Sequence, residues 1–254
     1  MTDEAFMKAI IADPDDDTHR LVYADWLEDE GGDVDRAALI RAQCAAERLP
    51  RGKARSALEK EAKALIKANP AWVEPIRKAR LGTKPVFRRG FLHGVTLPAF
   101  RFVMEAKALF KAAPTLRSVI FPTPLNEIEE LVKCRYLSRL TEADLSQFCQ
   151  CGGCPIDTQI LDVFACPHVG NLRYLRVSGN RINAAGARAI AASKRLRSLR
   201  ELDLSENELG EEGAMALLEA GWLGRLTRLN LRENAIGARA AAALRARLGA
   251  AVLV

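Results

Sequence analysis

The segment LRYLRVSGN at residues 172–180 recurs as LRELDLSEN at residues 199–207 and as LTRLNLREN at residues 226–234. Each copy begins 27 residues after the one before it. After each Asn come an Ile or Leu two residues on, a Gly or Ala four residues later, and another apolar residue four residues after that. A fixed stride of this length predicts a solenoid, in which each repeat buries its apolar side against its neighbours.

The pattern within one repeat predicts a strand, a turn and a helix. Leu202 and Leu204 alternate with polar residues, as in a strand that has one buried face. Asn207 ends the strand, where a buried carboxamide can bond backbone groups left open by the turn. The Ala-rich run from Glu212 to Ala220 has helical spacing. Stacked units of this kind predict an α/β fold with a parallel sheet inside and helices outside.

Weaker copies of the strand pattern precede the three regular ones. Apolar alternation predicts strands near residues 95–97, 116–121 and 140–145, and a partial strand at the end, over 252–254. We therefore expect about six strands, or about seven with the terminal one. Irregular first units are expected because an end repeat has only one neighbour. Residues 91–254 are thus predicted to form the repeat domain.

Two resemblances follow from these residues. The Asn, Gly and apolar positions, with their long helical half, resemble the ribonuclease-inhibitor-like class of leucine-rich repeats. The segment DPDDDTHRLVYADWLE at residues 13–28, with GGD at 31–33 and RAALIRAQ at 36–43, looks like the bacterial repeat-companion domain. Together they imply a bacterial leucine-rich repeat protein whose array is preceded by a short α-helical cap domain, and they imply no enzymatic activity.

Charge divides the N-terminal region into two parts. Residues 1–35 carry twelve Asp or Glu and two basic residues, whereas residues 48–117 carry seventeen Lys or Arg and four Glu. We expect an acidic helical domain at 1–48 and a basic helical connector at 49–90 that packs with it as the cap of the stack. The basic segment 48–117 makes a nucleic-acid-associated protein an alternative function, because clustered cations are the footprint of phosphate binding. A solvated helix face explains the lysines equally well.

Cysteines and carboxylates supply the candidate chemistry. Cys149, Cys151 and Cys154, followed by Cys166 and His168, offer ligands for zinc, and a zinc-stabilised interaction protein is a second alternative. Their spacing lacks two clean pairs, so we expect no metal and no cofactor.

The acidic pair at Asp25 and Glu28 is interpreted as a structural ion pair rather than an acid–base site. No enzymatic activity is predicted.

The predicted function is protein–protein recognition, as a scaffold or adaptor that binds through the concave face of a short horseshoe. Tyr174 and Arg176 are the expected anchors, because Tyr and Arg are enriched among interface hot spots. A further outward column is expected at Ser146, Ser178 and Ser205. The predicted partner-binding residues are Glu142, Asp144, Tyr174, Arg176, Glu201, Asp203, Arg228, Asn230 and Arg232.

Composition bounds the location of the protein. The formal net charge is +6, and no stretch approaches the roughly 18 apolar residues of a membrane span. The first residues are acidic and lack the apolar core of a secretory signal. We expect a cytoplasmic protein that is a monomer on its own, has no membrane partner and binds an unidentified protein.

Overall fold

The computed structural model describes residues 2–122, 127–147 and 159–254. Contacts between Cα atoms divide the chain into two compact units. The N-terminal unit comprises Met1–Val95 and Lys107–Leu116, and the repeat unit comprises Thr96–Ala106 and Arg117–Val254. Each unit has its own buried side chains.

The N-terminal unit begins with α-helices whose first turns are capped by polar side chains. The side chains of Thr2, Asp16 and Asp33 accept hydrogen bonds from the open backbone N–H groups at three helix starts. Part of the acidic charge of residues 1–35 therefore stabilises helix N-termini. The helices are α1 Asp3–Ala12, α2 Asp17–Trp26, α3 Val34–Arg48, α4 Lys53–Ala68 and α5 Glu74–Lys78.

One apolar cluster forms the core of this unit. The partly buried ring of Trp26 packs against the edge of this cluster, with ring-centroid distances of 5.5 Å to Phe6 and 5.9 Å to Tyr23. The buried members of the cluster are Phe6, Ile10, Tyr23, Ala24, Leu27, Ala37, Ile40, Cys44 and Phe91.

Residues 83–88 form a strand, although they belong to the segment 49–90 that was predicted to be helical. This strand, β1 Thr83–Arg88, is hydrogen bonded to its neighbour β2 Phe91–Thr96. The two residues between them, Arg89 and Gly90, have φ of 50° and 87°. Positive φ at both positions is the backbone that a two-residue hairpin turn requires. The prediction of a helical connector to residue 90 is therefore wrong over β1.

Gly90 also allows the hairpin to approach α3 closely. A Cβ atom at Gly90 would lie 2.1 Å from Cγ1 of Ile40, which is fully buried. Only Gly fits at this position, and its positive φ is one that Gly adopts without strain.

The acidic helices and the basic connector pack together through α3 and α4. Leu58, Leu65, Ile66 and Trp72 are half-buried, as expected of a docking face. Trp72 lies against the N-terminus of α3. The guanidinium of Arg36 lies 4.2 Å from the Trp72 ring centroid, and the indole N–H of Trp72 donates to Asp33 Oδ2 over 3.4 Å.

The repeat unit contains a parallel sheet whose strands follow chain order. Each strand pairs in register with the next, so that residues at equivalent repeat positions form straight columns. The strands predicted near residues 116–121, 140–145 and 252–254 are confirmed, and the one predicted near 95–97 is the end of β2, which begins at Phe91. The strands are β3 Ser118–Ile120, β4 Glu142–Asp144, β5 Tyr174–Arg176, β6 Glu201–Asp203, β7 Arg228–Asn230 and β8 Val252–Leu253.

Helices alternate with these strands along the chain, which makes the unit α/β. The predicted helix at residues 212–220 is present, but it begins at Gly210 and ends at Leu217. The helices are α6 Ala99–Ala112, α7 Ile128–Lys133, α8 Ile160–Ala165, α9 Ala184–Ala191, α10 Gly210–Leu217 and α11 Ala238–Leu248.

The turn asparagines connect neighbouring repeats, as the sequence predicted. Oδ1 of the buried Asn207 accepts from the backbone N–H groups of Asn180 (3.0 Å) and Ile182 (2.9 Å) in the repeat before. Its Nδ2 donates to Leu204 O at 2.9 Å in its own repeat and to Val177 O at 3.1 Å in the previous one. With a further bond from Nδ2 to Ser205 O over 3.1 Å, one side chain satisfies five backbone groups in a buried turn.

Candidate partner-binding face

The strands of the repeat unit display two columns of side chains away from the buried leucines. Parallel pairing aligns Glu142, Tyr174, Glu201 and Arg228 in one column, and Asp144, Arg176, Asp203 and Asn230 in the other. Between the columns, Leu175, Leu202 and Leu229 point the other way and are buried. This set of eight residues is called the strand face below.

Side chains of the second column form ion pairs and a hydrogen bond with one another. Nη1 of Arg176 lies 3.7 Å from Asp144 Oδ2, and its Nε lies 3.3 Å from Asp203 Oδ2. The Nε contact is close enough for charge attraction, but its angle does not make a hydrogen bond. Asn230 Nδ2 donates to Asp203 Oδ1 over 3.0 Å. Arg176 is therefore partly neutralised in place, which holds its guanidinium in a defined position on the strand face.

Tyr174 stands beside this ion pair. Its side chain is half-buried, and burial raises the pKa of its hydroxyl. Arg176 lowers that pKa, whereas Asp203 and Asp144 add to the increase. The hydroxyl therefore stays protonated at neutral pH and can donate a hydrogen bond to a partner.

The prediction that the serine column faces outward is wrong for Ser178 and Ser205, and Ser146 is half-buried. Ser178 is fully buried and Ser205 is 6% exposed, with 3.2 Å between their Oγ atoms. Ser205 Oγ also donates to Asp203 Oδ1 over 2.6 Å. The strand has ended by this position and the chain is already turning inward, so the alternation of the strand no longer applies. In the same column, Arg232 is exposed.

Two residues that adjoin the strand face were not predicted from the sequence. Ser118 and Ile120 on β3 extend the two columns by pairing with Glu142 and Asp144. Ile120 is a large apolar side chain that is 44% exposed. The signal was available, since Ile120 adjoins Val119, which the strand pattern assigned to the core.

Among the residues considered for catalysis or metal binding, Asp25, Glu28 and Cys166 are bonded to other parts of the protein. Arg41 pairs with both Asp25 (2.6 Å) and Glu28, so these carboxylates form an ion pair with Arg41 of α3. Cys166 is buried, and its thiol donates to Val132 O over 3.1 Å. Burial raises the pKa of the Cys166 thiol, which opposes formation of a thiolate ligand.

The cysteine loop Cys149–Cys154 lies outside the described residues. The absence of bound metal there stays a prediction, which elemental analysis of the dialysed protein tests. Elsewhere, Asp13, Asp16 and His19 bring potential ligand atoms within 4.8 Å of one another, at positions that are exposed or half-buried. Exposed acidic groups at this spacing are common without an ion.

Several cations of the basic segment are paired with carboxylates. Arg89 lies 3.3 Å from Asp17 and 3.0 Å from Glu47, and Arg88 lies 2.5 Å from Glu47. Arg77 and Lys78 pair with Glu74. These pairs lower the positive charge available to phosphate at the positions that best supported nucleic-acid binding. The lysines of α4, Lys53, Lys60, Lys63 and Lys67, are exposed.

The chain matches a known family in its three regular repeats. A family model described as a leucine-rich repeat matches residues 171–191, 195–218 and 226–244. Among solved structures, the chain is similar to an internalin from Listeria monocytogenes, with 18% identity and a TM-score of 0.33. That match covers 60% of this chain and 45% of the internalin, so the chain spans less than half of that protein's length. The search of curated proteins found no match.

The repeat unit is thus an α/β leucine-rich repeat solenoid. Leucine-rich repeats generally serve protein–protein interaction. Among the helices in the described ranges, none combines the length and the apolar character needed to cross a bilayer.

Proposed function

We propose that this chain is a scaffold or adaptor that recognises another protein through the strand face. The observation that supports this most directly is the combination of a half-buried Tyr174 with an Arg176 held between two carboxylates. A preorganised Arg beside an aromatic ring loses little side-chain entropy on binding. Ile120, exposed in the adjoining strand, adds apolar area to the same surface.

The partner that fits this surface carries both charges and an apolar group. Glu142 and Glu201 flank Tyr174 in the first column, and Arg228 follows Glu201. Such mixed polarity is typical of a specific interface, in which Tyr174 and, two strands away, Ile120 supply apolar contacts. We infer that binding is specific and depends moderately on salt.

The test uses a partner identified by affinity capture and then purified. Tyr174→Ala and Ile120→Ser are each expected to weaken its binding at least about tenfold, because truncated hot-spot residues cost about 2 kcal/mol or more. The matched control is Arg239→Ala with Arg247→Ala, two exposed positions on α11, which should leave affinity within about twofold. Calorimetric affinities that stay unchanged in both face variants would show that the partner docks elsewhere.

We further propose that the repeat-companion-like domain at residues 1–48 folds cooperatively with the connector at 49–90, in a cytoplasmic, bacterial protein. Support comes from the contacts of α3 with α4 and from Arg89, which lies against Asp17 and Glu47. Cys44, Cys134 and Cys166 are free thiols, as is usual in a reducing compartment. Limited proteolysis tests the cooperative unit. Rapid cleavage between Pro50 and Arg55 that releases a folded N-terminal fragment would contradict it.

We also infer that the repeats are of the ribonuclease-inhibitor-like type and that the free chain is a monomer. Helices of eight residues or more between the regular strands support the repeat type. Sedimentation equilibrium across a hundredfold range of concentration tests the monomer, and a mass that rises to twice the chain mass would refute it.

A further inference from the structure

A cleft of about 480 Å³ lies among the loops that follow α9 and α10 in the repeat unit. Its size is typical of pockets that receive a small ligand or a side chain of a partner. None of its lining residues belongs to the strand face. The lining residues are Ala191, Ala192, Ser193, Lys194, Leu196, Arg197, Gly221, Trp222 and Arg225.

The rim of this cleft is strongly basic. Its lining contains three Lys or Arg and no Asp or Glu. Lys194, Arg197 and Arg225 line the cleft and are exposed, and no ion pair to a carboxylate is found for them among the described residues. Instead, Arg197 and Arg225 donate to backbone carbonyls over 3.4 Å. These long bonds to neutral acceptors leave the positive charge available to an anion.

The floor of the cleft is apolar and contains an unsatisfied donor. Leu196 and Trp222 are 2% and 6% exposed. The indole N–H of Trp222 has no acceptor among the described residues. A buried donor without a partner is uncommon in folded proteins, and each case calls for an explanation. Because this nitrogen is buried, a ligand in the cleft would meet the face or edge of the indole ring rather than its N–H.

We propose that this cleft binds an acidic peptide segment that carries an apolar side chain next to its carboxylates. The apolar side chain packs against Leu196 and Trp222, while the carboxylates face Lys194, Arg197 and Arg225. A nucleic-acid backbone would satisfy the cations but would place no aliphatic group on the floor, so the peptide fits both features. This second binding surface goes beyond the recognition function of the strand face and does not depend on it.

The test measures fluorescence anisotropy with three labelled probes of equal negative charge. They are a glutamate peptide with one central leucine, the same peptide with serine in place of leucine, and an oligothymidylate. We expect the leucine peptide to bind most tightly. Arg197→Glu with Arg225→Glu should weaken it at least about tenfold, because close charge pairs across an interface couple strongly. Arg239→Glu with Arg247→Glu on α11 makes the same change in net charge and should alter it less than about twofold.

Trp222→Phe isolates the indole donor. It keeps most of the ring but removes the buried N–H, which the peptide does not reach, so we expect the leucine peptide to bind as tightly as it does to the wild-type protein. Amide exchange checks that this variant is folded, and the exposed arginine pair carries the test if it is not. Tyr174→Ala should leave peptide binding unchanged, which separates this proposal from that for the strand face.

Three results would overturn the proposal. They are no binding of the leucine peptide to the wild-type protein, equal losses in the cleft and α11 variants, and oligothymidylate or serine-peptide binding as tight as that of the leucine peptide. The last result would instead identify a general polyanion surface.

Discussion

The regular repeats and the N-terminal unit are held together in different ways. In the repeats, one solution recurs: Asn207 bonds backbone groups of its own and the preceding repeat, and Asn234 does the same one repeat later. In the N-terminal unit, each stabilising contact occurs once. Arg36 lies over Trp72 and donates to Gly90 O over 2.7 Å, across 54 positions of sequence.

This difference has a consequence for stability. A solenoid is stabilised by each repeat and by its interface with the next, so damage is expected to stay near the altered repeat. The N-terminal unit has one core that long-range contacts close, so damage there is expected to spread through the whole unit. Amide hydrogen exchange followed by mass spectrometry distinguishes the two responses, because it reports on each segment separately.

The largest effect is expected for Gly179→Ala in the first regular repeat. Gly179 has a φ of 71°, and a Cβ atom there would lie 1.8 Å from the backbone oxygen of Gln147. Backbone oxygens cannot move as side-chain ends do, so the strand ends must shift apart. We expect a loss of about 3 to 4 kcal/mol, with faster exchange concentrated in residues 142–207.

The equivalent position of the next repeat supplies a matched control. Glu206 also has positive φ, at 56°, but its side chain is exposed. Glu206→Ala should therefore change stability by less than about 0.5 kcal/mol. Similar losses in both variants would mean that the clash at Gly179 is not the cause, and exchange that quickens across the entire chain would contradict the local response.

A smaller loss is expected for Asn207→Ala. The change leaves the N–H groups of Asn180 and Ile182 without their acceptor in a buried turn. Each unpaired buried group costs about 1 to 3 kcal/mol, and a water molecule entering the space left by the carboxamide offsets part of it. We expect a net loss of about 2 to 3 kcal/mol by denaturant unfolding. A melting temperature equal to that of the wild-type protein would show that the ladder contributes nothing.

The contrast between recurring contacts in the repeats and single contacts in the N-terminal unit also explains which features the sequence could predict. The strands and the Asn ladder were predictable because the pattern occurs three times, and each copy supports the others. The strand face followed from alternation, but Ser178 and Ser205 were misplaced because alternation ends where the chain leaves the strand. The hairpin β1–β2 was missed because its turn, Arg89-Gly90, lacks the Asn-Gly or Asp-Gly signal that usually identifies such turns.

Long-range partners were beyond prediction. Arg36 gave no local sign that it would lie over Trp72, and Arg89 gave none that it would reach Asp17 and Glu47. The repeat stride predicts that the two loops of the cleft are neighbours, but Lys194, Arg197, Trp222 and Arg225 follow no repeat consensus that would identify a cleft there. Such contacts follow from how the chain folds back on itself, which a single sequence does not specify.

Arg36→Met tests the unique contacts of the N-terminal unit. Methionine keeps much of the apolar stem but removes the bond to Gly90 O and the cation over the Trp72 ring. Burial of the guanidinium lowers the pKa of Arg36, which shows that keeping this charge in the interior has a desolvation cost. Methionine removes that cost, and this offsets part of the lost interaction energy. We expect a net loss of about 1 to 2 kcal/mol, measured by the fluorescence change on unfolding.

Another arginine on the same helix is the control. Arg41 pairs with the exposed carboxylates of Asp25 and Glu28, and such surface pairs contribute about 0 to 1 kcal/mol. Arg41→Met should therefore be nearly neutral. If Arg41→Met lowers the free energy of unfolding as much as Arg36→Met does, the buried contacts of Arg36 contribute no more than a surface ion pair. The unit would then be stabilised by its overall charge balance rather than by contacts specific to Arg36.

The smallest effect, and the only stabilising one, is expected for Glu206→Gly. The three turns place Gly179, Glu206 and Glu233 at one repeat position, with φ of 71°, 56° and 57°. A residue with a Cβ atom is strained in this left-handed conformation, whereas Gly is not. Gly also loses more backbone entropy on folding, which cancels part of the gain, so we expect a net increase of about 0.5 kcal/mol. The comparison that isolates the backbone term is Glu206→Gly against Glu206→Ala, because both remove the carboxylate and only one removes the Cβ atom. Equal melting temperatures for these two variants would mean that the strain at residue 206 does not exceed the extra entropy that Gly loses on folding, and that the first repeat has Gly only because Gln147 O leaves no room for a side chain.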